Sequence, residues 1–479
     1  MTKTNYDVDI CIIGAGSGGL SVASGAAQLG RSVVLFEAEE MGGDCLNSGC
    51  VPSKALIAAG KHAHAFSSGE AFGVKPAKPS VSFETVKAHV QAVIDHIAPV
   101  DSQERFEGLG CTVIREFAKF KDANTVESET TEVRAKRFVI ATGSRASAPP
   151  IPGLAETPYL TNETIFTIPE QPKHLLVIGA GPIGLELGQA LSRLGSKVEI
   201  IDVAPPLGRS EPEHAQILVD ALKAEGVIFH APVKTKQIRK TKTGVAVDLE
   251  DGTVLTGSHL LVAAGRAPSL NGLDLEKAGI KFDRRGIDVT DSLRTTNKKV
   301  YAAGDVAKGM GGLTHAAGFH AGQLIRNFYF SPPFMGDRLG KANTVRMPAA
   351  IYSEPELASI GMTEAQAIEA GHDVRCVTWE FEENDRAIAE RDNHGGVKIV
   401  ATKKGKILGG SIVGDGAGEI IHVLSVAMTN NIKIAGLAQM ISPYPTRSEA
   451  VKRAASSWYT DALFSDRTRK LAGFLTKFH

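Results

Sequence analysis

Apolar residues come in short bursts, punctuated by glycine turns and followed by helical stretches. Val8-Asp9-Ile10-Cys11-Ile12-Ile13 reads as a strand and runs into Gly14-Ala15-Gly16-Ser17-Gly18-Gly19. Leu20 to Leu29 then keeps a helical period, and Ser32 to Phe36 forms a second apolar strand that stops at Glu37. The same order returns later. Leu175–Ile178 is a strand, Gly179-Ala180-Gly181-Pro182-Ile183-Gly184 a turn, Leu185–Leu194 a helix, and Lys197–Ile201 a strand ending at Asp202. Gly14 to Glu37 and Gly179 to Asp202 are both steps of 23 residues. Each copy closes on a similar strand, Phe138-Val139-Ile140-Ala141-Thr142-Gly143 and Leu260-Leu261-Val262-Ala263-Ala264-Gly265-Arg266.

Between the copies, the pattern predicts an amphipathic helix over Val86–Ile97 and a β-meander around Thr112–Lys136. Pro149, Pro150, Pro152 and Gly153 form a stiff connector. Val300–Asp305 is a further strand ending in Gly304-Asp305, and Leu313–Gly318 opens an alanine-rich helix. From Met347 the texture alternates. Strands are expected over Val397–Ala401 and Lys406–Val413, and helices over Glu419–Asn430 and Ser448–Tyr459. The fold class is therefore α/β: two Rossmann-like dinucleotide-binding domains followed by a C-terminal α+β domain.

The spacing of each glycine turn has a physical logic. Gly14 and Gly179 permit the tight turn, Gly16 and Gly181 let a pyrophosphate reach the backbone, and Gly19 and Gly184 let helix and strand close up. The helix N-terminus faces the phosphates, while Glu37 or Asp202 takes ribose hydroxyls. A carboxylate at position 202 accepts from a free 2′-hydroxyl and repels a 2′-phosphate, which favours NAD; Arg209 nearby keeps NADP possible. Asp305 suits a flavin ribityl hydroxyl or an ordinary strand-end turn. His315 sits where helix amides could face a reduced flavin, or serves as a packed or capping residue.

The stretch from Gly42 to Lys54 holds Cys45 and Cys50, four residues apart, just after the first nucleotide-binding copy. It reads as a redox-active dithiol placed against a flavin, so the first copy takes FAD. Regular helix would separate the two Cα atoms by more than roughly 7 Å, beyond the usual disulfide reach of about 6.8 Å. If the bond forms, the segment cannot be straight helix across it, and Gly49 is the residue that allows the distortion. Regular helix is expected just after Cys50, with Lys54 one turn on and facing the same way.

Composition narrows the class. Formal net charge is zero over 479 residues, which argues against nucleic acid or a membrane surface as a partner. Five cysteines are too few for a disulfide scaffold; Cys11, Cys111 and Cys376 read as buried small residues. No signal peptide or bilayer-length apolar run is visible, and a cytoplasmic location is expected. No metal site is expected.

These features together resemble the pyridine nucleotide–disulfide oxidoreductase family, which includes dihydrolipoamide dehydrogenase, glutathione reductase and mercuric reductase. The most specific match is the GGDCLNxGCVPSK segment over residues 42–54, and the likeness runs over essentially the whole chain. It implies an FAD domain over residues 1–152, an NAD(P) domain over 153–275, a central domain over 276–346 completing the FAD site, and a dimerisation domain over 347–479. It also implies a homodimer. By resemblance, Cys50 is the thiolate facing the flavin and Cys45 the thiol that exchanges with a disulfide or thiol substrate, small molecule or protein. Lys54 pairs with Glu186. Gly43, Ala118, Ala141, Thr142, Gly143, Gly304, Asp305, His315, Gly265 and Arg266 join the cofactor-binding set.

One departure stands out. Relatives that reduce small disulfides carry His-Pro-x-x-x-Glu near the end, the histidine serving as acid and base; here that position is Tyr444, with Glu449 retained. Tyrosine titrates near 10 and histidine near 6.5, so Tyr444 can give a proton but is a poor base. Mercuric reductases share the tyrosine, yet carry a later cysteine pair, and no cysteine follows Cys376 here. Pro182 stands where many relatives place an aromatic gate. The reading is an FAD-dependent NAD(P)H disulfide oxidoreductase, dihydrolipoamide dehydrogenase-like, with a mercuric or metal-ion reductase or a non-catalytic redox sensor as alternatives.

Overall fold

A computed structural model describes residues 3–332, 334–342 and 344–478. The chain forms two compact units. One collects the residues up to 67, 76–203 and 228–344; the other collects 68–75, 204–227 and everything from 345 on.

The first unit begins with strand β1 (Thr4–Ile13), helix α1 (Ser17–Gln28) and strand β2 (Val33–Phe36). The short helix α2 (Gly43–Asn47) and the longer α3 (Cys50–Ala65) follow. Strand β3 (Cys111–Ile114) pairs parallel with β2, in the register Val33 opposite Cys111. The meander expected from Thr112 therefore starts later. Only β4 (Lys119–Asp122), β5 (Thr125–Glu127) and β6 (Thr131–Ile140) run antiparallel to one another. An apolar burst as short as Cys-Thr-Val-Ile carries no mark of its partner's direction. Strand β6 returns parallel to β1, and Val300–Ala302 adds to its far side, giving a seven-stranded sheet.

Alternation along β1 splits the core into two layers. Ile10 and Ile12 pack with Leu20, Val22 and Ala26 of α1 and with Leu324 and Phe328 of the Thr314–Tyr329 helix. Cys11 and Ile13 face the other way, onto Phe120, Phe138 and Val300. Cys11 and Cys111 are buried, as their isolation suggests, and burial pushes both thiols up, Cys111 to about 11.

The second glycine copy builds a parallel four-stranded sheet from Ile228–His230, Lys197–Ile201, His174–Ile178 and His259–Val262, in that order. Its turn helix is Pro182–Arg193, opened by Pro182 at the position where a missing N–H does no harm.

The second unit holds a five-stranded antiparallel sheet, ordered Pro348–Ile351, Glu356–Gly361, Ile407–Gly414, Gly396–Thr402 and Val374–Glu380. Ala417–Thr429 and Glu449–Ser457 cover it through Ile421, Leu424, Ala450 and Val451. Helix Pro212–Ala224 belongs to this unit, with His214 Nδ1 2.8 Å from Ser411 Oγ. Buried Lys398 bonds Glu211 at 2.9 Å, Glu213 at 2.5 Å and Glu364 at 2.8 Å. Among the described residues no helix is long and apolar enough to cross a membrane.

Candidate active site

The two glycine turns are built alike. Gly14 has φ +102° and Gly179 φ +113°, and a Cβ on either would sit 2.5 Å from a carbonyl oxygen, Ala141 or Ala263. Gly19 and Gly184 are tighter: a Cβ there would lie 1.8 Å from Gly14 O and 2.0 Å from Gly179 O. These are packing requirements of helix against strand. Gly16 and Gly181 differ. A Cβ at Gly16 meets only Gly43 Cα, at 3.9 Å, and one at Gly181 meets nothing within 4 Å. The backbone is left bare where protein packing does not demand it, and that open face fits a dinucleotide pyrophosphate at a helix N-terminus.

Each acid ties its strand back to its turn. Glu37 Oε2 accepts from Ala15 N at 2.6 Å, and Asp202 Oδ2 accepts from Ala180 N at 2.7 Å. Gly304 has φ +75°, and Asp305 accepts from Ser144 Oγ at 2.6 Å. Gly143 and Gly265 also have positive φ, and a Cβ on either would meet nothing within 4 Å. Thr142 Oγ1 donates to Ser269 O at 2.8 Å. Ala141 and Ala118 are buried in core clusters. Arg266 donates to Ser144 and lies 3.2 Å from Asp44 Oδ2. His315 is exposed in the first turn of its helix.

The cysteine segment breaks where the spacing requires. Cys45 ends up in α2 and Cys50 opens α3, with Ser48 and Gly49 between them. Gly49 has φ −121° and ψ −113°, and a Cβ on it would lie 2.8 Å from Asp44 O. The segment is docked on the first glycine turn. Gly42 N donates to Ala15 O at 3.0 Å, and a Cβ on Gly43 would come within 2.8 Å of Gly16 Cα. Cys45 and Cys50 are both free cysteines, and each strongly influences the titration of the other.

Their environments push the two thiols apart. Cys50 is lowered to about 6, first by the hydrogen bond from Cys45, then by Thr314 and the charge of Lys54, against burial and the Asp44 carboxylate. Thr314 Oγ1 lies 3.2 Å from Cys50 Sγ. Cys45 is pushed well above the ordinary thiol range, first by its bond to Cys50 and then by burial. The hydroxyls of Thr314 and Ser17 oppose that rise. One sulfur is an anion and the other a proton donor at neutral pH. Lys54 Nζ is 2.8 Å from Glu186 Oε2, a nearly buried carboxylate on the second-copy helix.

Thr314 and Ser17 are absent from the residues the sequence singled out. The Leu313–Gly318 stretch points to a helix start, and α1 starts at Ser17, but neither hydroxyl's sulfur partner is legible locally. Tyr444 and Glu449 lie in the second unit. Tyr444 is 69% exposed and donates to Asp385 Oδ2 at 2.8 Å, which raises its phenol above the ordinary value. Glu449 pairs with Arg453 at 2.8 Å.

Residues 8–321 match the pyridine nucleotide-disulphide oxidoreductase family, and residues 347–455 match its dimerisation domain. A mercuric reductase of Streptomyces lividans is 33% identical, covering 96% of this chain and 98% of its own. A dihydrolipoyl dehydrogenase of Thermus scotoductus is 34% identical, covering 95% and 98%. The Cu(II) complex of the HOCl-induced flavoprotein disulfide reductase RclA from Escherichia coli superposes with a TM-score of 0.82 at 25% identity, over 95% of this chain and 100% of that one. Members of the family contain FAD and use NAD(P)H.

Proposed function

The chain belongs to the pyridine nucleotide-disulphide oxidoreductase family, and from that premise we propose that it moves electrons between NAD(H) and a disulfide or thiol substrate by way of FAD and the Cys45–Cys50 pair. The first glycine copy, with Gly14, Gly16, Gly19, Glu37, Gly43, Asp305 and the 141–143 strand end, would hold FAD. The second, with Gly179, Gly181, Gly184 and Asp202, would hold NAD(H). Bound flavin supplies the relay between hydride chemistry and sulfur chemistry. The domain limits at 152, 275 and 346, a homodimer and a cytoplasmic location belong to the same proposal.

The observation that carries the reading is the cysteine segment docked on the first glycine turn, Gly42 on Ala15 and Gly43 against Gly16, with the two thiols pushed apart in acidity. In the reducing direction, Cys45 passes its proton to the Cys50 thiolate as its sulfur bonds one substrate sulfur and the substrate S–S bond breaks, and the departing thiolate then takes that proton from Cys50. The Cys50 thiolate then bonds the Cys45 sulfur and releases the second substrate thiolate, which is protonated by solvent or by an acid such as Tyr444. Two electrons leave the dithiol, and a 45–50 disulfide remains. Thr314 and Lys54 favour the starting charge on Cys50, while Ser17 eases loss of the Cys45 proton.

The test is NADH and NADPH oxidation against lipoamide, glutathione disulfide, mercuric ion and a quinone, for the parent and Cys45→Ser. Disulfide-dependent oxidation that vanishes in Cys45→Ser, with NADH preferred, is the expected result. Full disulfide turnover in that variant would refute the proposal. A metal-ion reductase is the second reading, favoured by Tyr444 in the histidine position and by the mercuric reductases among the relatives. Mercuric ion as the only productive acceptor would select it.

A further inference from the structure

The last helix of the chain, Asp466–Leu475, and the 3₁₀ turn Thr476–Phe478 that continues it contain no buried residue. Leu471, Phe474, Leu475 and Phe478 are between 50% and 72% exposed. They fall at i, i+3, i+4 and i+7, so they form one stripe. Leu463 and Phe464, at the end of the preceding short helix, are equally exposed. The rings of Phe474 and Phe478 meet edge-on at 5.1 Å.

Basic residues border the apolar side. Lys470 and Lys477 lie one turn before and one turn after Phe474, along one border of the stripe; Arg467, four residues before Leu471, stands in line with the stripe at its N-terminal end, and Arg469 lies on the far face. Asp466 is the one acid from 466 to 478. The neutral total for the chain averages this cationic segment away. It also lies outside the stretch matched by the family's dimerisation domain, which ends at 455. Two copies of the helix set face to face would oppose like charges.

We propose that this helix lies flat on an anionic lipid bilayer, its leucine and phenylalanine stripe in the acyl boundary and its lysines among the headgroups. Length, stripe and bordering lysines are those of an interfacial helix, and the stripe is too short and too polar on its far side to span. Lysine stems lie along the apolar stripe while their ammonium groups reach the lipid phosphates. The proposal stands independently of the redox reading and sets where that chemistry takes place.

The test is flotation of the full-length, flavin-loaded protein with phosphatidylcholine vesicles, with and without phosphatidylglycerol. Mass is followed by light scattering and folding by NADH oxidation. The parent should float only with the anionic vesicles, and added salt should release it. Leu471→Asp/Phe474→Asp should stay at the bottom with unchanged mass and unchanged oxidation. Lys470→Gln/Lys477→Gln should partition roughly 25-fold more weakly, at about fivefold per basic residue. The proposal fails if the parent does not float, floats equally with both vesicles, or floats undiminished in either variant. It also fails if the aspartate variant halves the mass, since the stripe would then face a second copy.

Discussion

Cys50 sits 3.2 Å from the Thr314 hydroxyl, with the Cys45 thiol and Lys54 contributing to the same low pKa. A lowered thiol is an anion above its pKa, so iodoacetamide trapping of the reduced protein should be half-maximal near pH 6 and level off about one unit above it. Because the two sulfurs share a proton, that value belongs to the first deprotonation of the pair. Thr314→Val should make Cys50 about tenfold weaker as an acid, the scale of one hydrogen bond to a charged group. The trapping profile would move to higher pH while the fold stays intact. At Tyr444, the Asp385 bond holds the phenol protonated through neutral pH. Tyr444→His supplies a group that titrates near 6.5, and lipoamide turnover should rise; unchanged turnover would show that the substrate needs no such base. Which residues could be found in advance follows from range. Glu37 and Asp202 were legible because strand, turn and acid are contiguous in the chain. Thr314 and Ser17 were not, since their bonds to sulfur close only after distant helices are packed.

At the level of single elements, the repeated turns give a clean separation. Gly19→Ala puts a methyl 1.8 Å from Gly14 O, and Gly184→Ala puts one 2.0 Å from Gly179 O. The first variant should emerge with little flavin. The second should keep its flavin and its reactive thiols but lose reduction by NADH; flavin absorbance and thiol counting distinguish the two. Gly49→Ala should cost about 1–3 kcal/mol, the range for overpacking, since its Cβ would lie 2.8 Å from Asp44 O, and should slow closure of the 45–50 bond. The break at Ser48–Gly49 was readable because two geometric limits conflict across five residues. The parallel pairing of Cys111–Ile114 was not, because a four-residue apolar run fits either direction.

For the molecule as a whole, the second unit carries its own electrostatic anchor. Burial alone would raise the Glu213 carboxyl, but the hydrogen bond and charge of Lys398 hold it below the ordinary value. Burial likewise opposes the Lys398 charge, and three carboxylates outweigh it. A carboxyl lowered in the folded state contributes stability that is complete above its ordinary value of 4.5 and is lost as pH falls through the folded one. Thermal unfolding should therefore show this unit weakening below about pH 4.5. Lys398→Met should destabilise it by about 3–5 kcal/mol, since Glu211 would keep a buried charge without its partner at 2.9 Å. None of this network was visible beforehand: Glu211, Glu364 and Lys398 are far apart in the chain and have no spacing that announces them.

The contact between Gly16 and Gly43 sets how much extra length the loop after β2 can take. In the first copy that connection is clamped at both ends, so a single inserted residue there would drag the sulfurs off register. In the second copy the chain passes after Val203 into the other unit, where Lys398 holds Glu211 and Glu213. Two similar frames thus moor their first connection to different things, one to a redox pair and the other to an ion network.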